Sequence, residues 1–252
     1  MKLSKTQFKK DFEKRLTSKF ATDVSKAGVT ETFATLSSVV KQYYTQIWQA
    51  DNQYKDEVQQ KQTYYFSIEF LPGKMLKSNL LNLGILATVR DGLADLGIDL
   101  EKVAQIEPDM AIGNGGLGRL ASCFMDSAAS TGLPVNGNGI RYRYGLFKQK
   151  IIDGYQVELP DSWLNNVNPW EVRRADKAIE VTFGGEAWLE EDEAGHLIPH
   201  YRNQERVLAI PYDTPMVGFE NTRVNNMCLW HSEVPQDLDV KFQNMEYMHQ
   251  TS

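Results

Sequence analysis

The chain has 252 residues, of which 42% are hydrophobic and 24% are charged, so it is long enough for one large or two small folded domains and is not a disordered chain. The formal net charge of −6 argues against a nucleic-acid partner or an anionic membrane, because no basic surplus exists to neutralise phosphates. No apolar run reaches membrane-span length, and Cys123 and Cys228 lie far apart in apolar contexts, so we expect two buried thiols in a cytoplasmic protein.

The first 60 residues predict a helical N-terminal cap, which we place at residues 1–60. Ser4 precedes the first helix, with Gln7 in capping-box register. Four apolar side chains follow at helical spacing: Phe8, Phe12, Leu16 and Phe20. A second helix is predicted over about residues 30–50, and six of its side chains should face inward: Leu36, Val39, Val40, Tyr43, Ile47 and Trp48.

Residues 61–252 predict an incomplete α/β domain with a mixed, partly parallel sheet, because strand and helix patterns alternate. The predicted strands are Tyr64–Phe70, Ile140–Tyr144, Ile179–Phe183 and Arg206–Tyr212. The predicted helices run from Leu80 to Gly97, from the glycine-rich stretch at 112–118 to Gly132, and through Leu238–His249.

The most informative stretch is glycine-rich and runs from Gly113 to Gly118. Glycine lets backbone approach a ligand closely and adopt a positive φ. The residues that follow have helical spacing, so the glycines should lie at a helix N-terminus, where free N–H groups and the dipole favour a phosphate. The alternative is a tight turn that only packs a helix closely.

The same glycines satisfy G-x-G-x-x-G, the pattern of dinucleotide-binding folds. Two features oppose that interpretation. Only a short apolar run precedes Gly113, and the stretch from Thr131 to Leu146 contains no acidic residue that could bind a ribose hydroxyl.

Two further groups of residues suggest other chemistry. His196 and His200 lie near four acidic residues, but Gly195 and Pro199 favour an exposed hairpin, so we expect no metal site. Trp163 and Trp170, beside Asp161 and Glu171, resemble a sugar platform with paired carboxylates, as in a glycosidase. Tryptophans are more often core residues, and Glu69, Arg141 and Arg143 are either cleft residues or members of local ion pairs.

Several blocks, in order, make the chain resemble the α-glucan (glycogen or maltodextrin) phosphorylase family. They include YYFSIEFLPG at 64–73, GNGGLGRLASCFMDS at 113–127, GNGIRY at 137–142, DSWL at 161–164, NPWE at 168–171, PYDTP at 211–215 and NNMCLW at 225–230. The resemblance covers most of Tyr64 to Trp230 and implies the N-terminal half of a two-domain glycosyltransferase fold.

The resemblance also implies site residues and a cofactor. Gly115, Gly116 and Leu117 would offer backbone N–H groups to inorganic phosphate and to the sugar, and Asn114, Arg119 and Glu69 are possible cleft residues. The reaction would be phosphorolysis of terminal α-1,4 links to glucose 1-phosphate with pyridoxal 5′-phosphate, in a protein expected to be a homodimer.

No lysine of this chain matches the family's cofactor-binding lysine, and no catalytic residue is identifiable. We therefore expect the C-terminal cofactor domain to be absent from this chain and the isolated chain to be inactive. The alternative function is a truncated, non-catalytic subunit or interaction fragment.

Overall fold

The structure is a computed structural model that describes residues 3–110, 112–165 and 168–235. The chain divides into two units, the first comprising Met1–Val172 and Asp213–Leu229 and the second Arg173–Tyr212 and Trp230–Ser252. This division does not test the predicted boundary at residue 60, which stays a prediction. The predicted helix at Leu238–His249 lies outside the described residues.

The α-helices described in the first unit are α1 Lys5–Phe20, α2 Val29–Glu57, α3 Leu76–Asn82, α4 Leu86–Asp95, α5 Leu100–Gln105 and α6 Gly116–Ser130. The predicted start of α1 is confirmed, because Ser4 is its N-cap residue and the Ser4 hydroxyl accepts the N–H of Gln7 at 3.1 Å. The predicted apolar stripe is also confirmed, since Phe8, Phe12 and Leu16 are buried.

Helix α2 continues two turns beyond its predicted end, to Glu57. Its apolar stripe stops at Trp48, but the following turns bury an ion pair between Lys55 and Asp51, whose charged atoms lie 2.7 Å apart. Arg223 contacts the other oxygen of Asp51 at 2.9 Å. Charged residues normally indicate a solvent-exposed end of a helix, so the predicted helix was shorter than the observed one.

The single helix predicted from Leu80 to Gly97 is wrong, because the segment forms two helices, α3 and α4. Gly84 lies between them with φ +68°, a left-handed conformation that favours glycine and stops a helix. Helix α5 was not predicted. Asp99 begins it by accepting the N–H of Glu101 at 2.9 Å.

The strands are β1 Thr63–Phe66, β2 Val135–Ile140, β3 Gly145–Ile152, β4 Tyr155–Asp161, β5 Val172–Arg173, β6 Ile179–Phe183, β7 Glu186–Glu191, β8 Leu197–Arg202, β9 Glu205–Val217 and β10 Val224–Glu233. In the first unit the sheet order is β1-β2-β10-β9, and β1 runs parallel to β2. Strands β3 and β4 form a separate antiparallel hairpin.

Two predicted strands in the first unit have different bounds. Strand β1 ends at Phe66 instead of Phe70, because the Ser67 hydroxyl bonds to both backbone groups of Glu69 in a local turn. The strand predicted at Ile140–Tyr144 is wrong. Strand β2 ends at Ile140, and the next side chain, Arg141, is buried in a bidentate ion pair with Glu171 at 2.9 and 2.6 Å.

The second unit contains antiparallel pairs. Strand β6 has the predicted bounds and pairs with β9, with Ile179 opposite Ala209. Strand β9 contains the predicted strand Arg206–Tyr212 and is longer at both ends. Parallel and antiparallel pairing together confirm the predicted mixed α/β class. In the described part of the chain, no helix is both long and apolar enough to cross a bilayer.

Candidate functional site

The N-terminus of helix α6 carries the candidate site. The helix begins at Gly116 after the N-cap Gly115, and its first intrahelical hydrogen bond runs from the Arg119 N–H to the Gly115 carbonyl at 3.0 Å. The N–H groups of the first turn therefore have no intrahelical acceptor, and they lie at the positive end of the helix dipole. This confirms the predicted position of the glycines at a helix start.

The four glycines of this stretch divide into two kinds. A Cβ at Gly113 would lie 3.2 Å from the Cβ of Leu71, and a Cβ at Gly118 would lie 3.1 Å from that of Glu69. At Gly115 and Gly116, however, a Cβ would meet nothing within 4 Å. The inner pair is exposed and bordered by open space, so the backbone there is accessible to a ligand.

Conformational freedom is not the reason for glycine at this site. None of Gly113, Gly115, Gly116 and Gly118 adopts a positive φ. The expectation of left-handed backbone is therefore wrong for this loop. Close packing explains Gly113 and Gly118, and open access to the backbone distinguishes Gly115 and Gly116.

Glu69 and Asn114 come together at the loop. A carboxylate oxygen of Glu69 accepts the N–H of Asn114 at 3.0 Å. Two residues later, the N–H of Leu71 donates to the Gly118 carbonyl at 3.0 Å. The segment after β1 thus fixes the loop from one side, and two of the six predicted site residues touch each other directly.

A cavity of 160 Å³ lies beside the loop, lined in part by Glu69, Asn114, Tyr142 and Tyr144. The two tyrosines were not predicted as site residues. The hydroxyl of Tyr142 donates to the Ile68 carbonyl at 2.8 Å, which connects this ring to the segment that carries Glu69. Their spacing of two residues is visible in the sequence, but it also fits the strand predicted at Ile140–Tyr144, so it did not indicate a site.

Arg119 takes a different position from Glu69. It lines a second cleft, between α3 and α6, together with Lys74, Asn79 and Asp126. Its Nη1 donates to the Leu71 carbonyl at 3.4 Å. The structure therefore does not bring Arg119 into the cavity that Glu69 and Asn114 line.

The predicted pair of buried thiols is half correct. Cys228 is buried, but Cys123 is exposed on α6. The apolar neighbours of Cys123 in the sequence belong to two faces of the helix. Ala121 and Met125 are buried, whereas Leu117, Leu120 and Phe124 are exposed in this unit, so an apolar sequence context did not indicate burial.

The glycosidase hypothesis is wrong for the tryptophans. Trp163 and Trp170 are only 5% and 2% exposed, and their indole N–H groups donate to Tyr142 and Glu107 inside the protein. Glu171 is held by Arg141. These aromatic rings are core residues, which leaves no open face for a sugar.

The expected hairpin around His196 and His200 is confirmed as β7 and β8. His196 contacts Asp192 at 3.2 Å, and His200 contacts Glu190 at 3.1 Å. Within residues 3–110, 112–165 and 168–235, no group of three or more His, Cys, Asp or Glu side chains is arranged to hold a metal ion.

The dinucleotide-binding interpretation also lacks its structural context. Of the residues described just before Gly113, Met110 forms only an isolated antiparallel bridge, to Gly73. A dinucleotide-binding glycine loop instead follows a full strand of a parallel sheet.

Comparison with known proteins identifies relatives of the chain. The family model described as carbohydrate phosphorylase matches residues 93–252, more than half of the chain. The chain is 47% identical over 232 residues to glycogen phosphorylase of Bacillus subtilis, with 91% of the chain covered. It is 40% identical over 235 residues to the liver form of glycogen phosphorylase of Bos taurus, with 93% covered.

The matched part of these relatives is small. It spans 29% of the Bacillus subtilis protein and 27% of the Bos taurus protein. A glycogen phosphorylase of Chlamydia trachomatis, 40% identical over 220 residues, is likewise covered over 27% of its length. The chain therefore corresponds to less than a third of each relative.

Proposed function

Since the chain belongs to the carbohydrate phosphorylase family, we propose that it forms the N-terminal part of a glycogen or maltodextrin phosphorylase. The complete enzyme would cleave the terminal α-1,4 link of a glucan with inorganic phosphate and release glucose 1-phosphate. The observation that carries the proposal is the open, glycine-flanked N-terminus of α6. We assign phosphate binding to it.

Inorganic phosphate is the ligand best suited to this helix end. The N–H groups of Gly115, Gly116 and Leu117 stand at the start of α6, and neither glycine has a Cβ that would keep a phosphate oxygen at a distance. Oriented N–H dipoles stabilise negative charge without having to reorganise during the reaction. The loop would therefore hold and orient the attacking phosphate.

The cavity beside the loop suits the sugar. Tyr142 and Tyr144 offer ring edges and faces, and Glu69 and Asn114 offer hydrogen-bonding groups to hydroxyls. Because the Glu69 carboxylate already accepts the Asn114 N–H, its second oxygen remains for a hydroxyl donor. Sugar and phosphate would thus meet across Asn114, where the glycosidic bond is exchanged for a bond to phosphate.

The N-terminus of α6 would also suit the phosphate group of the cofactor. Pyridoxal 5′-phosphate, when bound, would supply a phosphate group that exchanges a proton with the inorganic phosphate. The residues of this chain that suit an anion are the N–H groups of Gly115, Gly116 and Leu117, which would offset repulsion between the two phosphates. We assign the lysine that binds the cofactor to a part of the enzyme outside this chain. Homodimer formation and a cytoplasmic location belong to the same proposal.

The test removes one N–H group. Leu117→Pro deletes the Leu117 donor in the first turn of α6, where proline is tolerated. Leu117→Ala is the matched control, because it removes the same exposed side chain but keeps the N–H. Both are made in a full-length chimera in which this chain replaces the matching part of the Bacillus subtilis enzyme.

We expect phosphate-dependent release of glucose 1-phosphate from maltodextrin by the unmodified chimera. Leu117→Pro should lower kcat/KM for phosphate about 100-fold, as loss of one oriented donor does, whereas Leu117→Ala should stay within about threefold. Equal activity of the two variants would contradict the phosphate assignment. A folded chimera without any release would favour the alternative, a non-catalytic interaction fragment.

A further inference from the structure

Asparagine followed by glycine is a sequence at which a protein chain can modify itself. The chain contains this step three times, at Asn114–Gly115, Asn136–Gly137 and Asn138–Gly139. At each step the backbone nitrogen of the glycine can attack the side-chain amide of the asparagine, because glycine has no Cβ to obstruct the approach. The rate of this attack depends on how firmly the fold holds the two reacting groups.

Strand β2 holds both of its Asn–Gly steps firmly. The strand lies between β1 and β10, so its backbone groups take part in pairing on both sides. The side-chain amide of Asn136 donates to Gln62 at 2.7 Å, and that of Asn138 donates to the Asn136 carbonyl at 3.4 Å. A Cβ at Gly139 would lie 2.7 Å from the Ser67 carbonyl oxygen, so the backbone there is also closely packed. Attack by either glycine nitrogen therefore requires local opening of the sheet.

The third step, Asn114–Gly115, lacks these restraints. Both residues are exposed, and a Cβ at Gly115 would meet nothing within 4 Å. Among the described residues, the side-chain amide of Asn114 forms no hydrogen bond, and only its backbone N–H is held, by Glu69. The N–H of Gly115 likewise bonds to no described residue, and helix geometry is the reason. Gly115 is the N-cap of α6, and the first N–H groups of a helix have no intrahelical acceptor.

The start of α6 also favours the reaction electrostatically. The attacking nitrogen has to lose its proton, so negative charge develops on it as it approaches the side chain. Gly115 lies at the positive end of the α6 dipole, where negative charge is stabilised. We propose that Asn114 is a site of spontaneous deamidation in which Gly115 supplies the attacking nitrogen.

The reaction is balanced with water as the only co-reactant. The Gly115 nitrogen forms a bond to Cγ of Asn114 while the Cγ–Nδ2 bond breaks. The proton of the Gly115 amide ends on the departing nitrogen, and ammonia leaves. Water then adds to one of the two carbonyl carbons of the cyclic imide and opens the ring. Opening at one carbon gives aspartate, and opening at the other gives isoaspartate, which lengthens the main chain between residues 114 and 115.

Peptide mass spectrometry of the folded chain tests the proposal. In mildly alkaline buffer below the unfolding temperature, Asn114 should convert at least about tenfold faster than Asn136 or Asn138, which react only after local opening. In denaturant the three steps should react within about threefold of one another, because only the local sequence then matters. Equal conversion in the folded chain, or no conversion at Asn114, would overturn the proposal.

Two alanine variants identify the attacking nitrogen. Gly115→Ala places a methyl group on the attacking residue, and Gly116→Ala is the matched control one position later, since neither Cβ would meet an atom within 4 Å. Gly115→Ala should slow conversion of Asn114 about tenfold by obstructing the approach, whereas Gly116→Ala should stay within about twofold. Electron-transfer fragmentation should also detect isoaspartate at position 114. Equal rates in the two variants, or aspartate without isoaspartate, would show that Gly115 is not the nucleophile and would overturn the proposal.

Deamidation has a consequence for phosphate that rests on the proposed function. An aspartate at position 114 adds a second carboxylate to the loop that Glu69 already contacts, next to the N–H groups that we assign to phosphate. In the full-length chimera Asn114→Asp should therefore lower kcat/KM for phosphate about tenfold or more. Asn114→Gln, which stays neutral, should lower it less. Equal values for the two variants would count against the phosphate assignment, whereas the modification is decided by the mass spectra of the chain alone, so the two failures are distinguishable.

Discussion

At the scale of single residues, the glycines before and within α6 differ in what a side chain would meet. Gly116 borders open space, whereas a Cβ at Gly118 would lie 3.1 Å from the Cβ of Glu69, which is a tight contact that Glu69 would have to relieve. A methyl at Gly116 would therefore intrude only on the proposed phosphate, and a methyl at Gly118 would press on the protein itself.

This contrast predicts opposite outcomes for two alanine substitutions. Gly116→Ala should leave the unfolding temperature unchanged or slightly raised, because alanine favours helix, but should lower phosphorolysis by the full-length chimera about tenfold or more. Gly118→Ala gains the same helix propensity but forces Glu69 to shift, so its free energy of unfolding should be about 1–3 kcal/mol below that of Gly116→Ala. Thermal melts and kinetics of the two variants check this. Unchanged turnover in a folded Gly116→Ala enzyme would count against close approach of phosphate.

At the scale of elements, Glu107 joins three segments. Its Oε1 accepts the N–H groups of Met75 and Leu76 at the start of α3, at 2.8 and 3.1 Å, and the indole N–H of Trp170 at 2.8 Å. The residue is buried. Burial raises the pKa of this carboxyl above its usual range, against the opposing effect of its hydrogen bonds.

Two substitutions separate the charge of Glu107 from its role as an acceptor. Glu107→Ala should lower the free energy of unfolding by several kcal/mol, because three buried donors lose their acceptor at about 1–3 kcal/mol each. Glu107→Gln should be much milder, since an amide oxygen can replace Oε1 for all three donors. Denaturant titrations of both variants measure the difference, and equal losses would contradict this account.

The raised pKa also sets the direction of a pH effect. The folded chain binds the proton of Glu107 more tightly than the unfolded chain does. The part of the stability that depends on this proton is therefore fully present below the unfolded pKa of Glu107 and is lost as pH rises through the raised, folded value, whereas the acceptor role remains. In Glu107→Gln this decline should disappear, which unfolding curves recorded across acidic and neutral pH can show.

Much of the local structure was predictable from the sequence, because it depends on neighbours along the chain. The cap at Ser4 and the start of α6 at Gly116 are of this kind. What could not be predicted depends on partners far away in sequence. The ion pair of Arg141 and Glu171 joins residues 30 positions apart. The sequence pattern around Tyr142 therefore gave no sign that strand β2 ends at Ile140.

At the scale of the whole molecule, the proposed function implies that the chain would provide one wall of the site. Among the described residues, the buried Lys55 pairs with Asp51, and the half-buried Lys41 donates to the carbonyls of Pro169 and Glu171. Together with the absence of a lysine that matches the family's cofactor-binding residue, this favours cofactor attachment elsewhere in the enzyme.

The isolated chain should therefore show no pyridoxal absorbance after incubation with the cofactor and dialysis. It should also release no glucose 1-phosphate from glycogen. Absorbance spectra and a coupled assay measure both, with the full-length chimera as the positive control. Robust phosphorolysis by the isolated chain would mean that the proposed division of the site between two parts of the enzyme is wrong.

The exposure of Cys123 gives the site a natural place for a reporter. Cys228 is buried, so a thiol-reactive fluorophore would attach selectively to Cys123 under native conditions. That residue lies two helical turns after Gly116, on the same helix whose first turn we assign to phosphate. A dye at this position would report phosphate binding at that first turn through its emission, without any engineered cysteine.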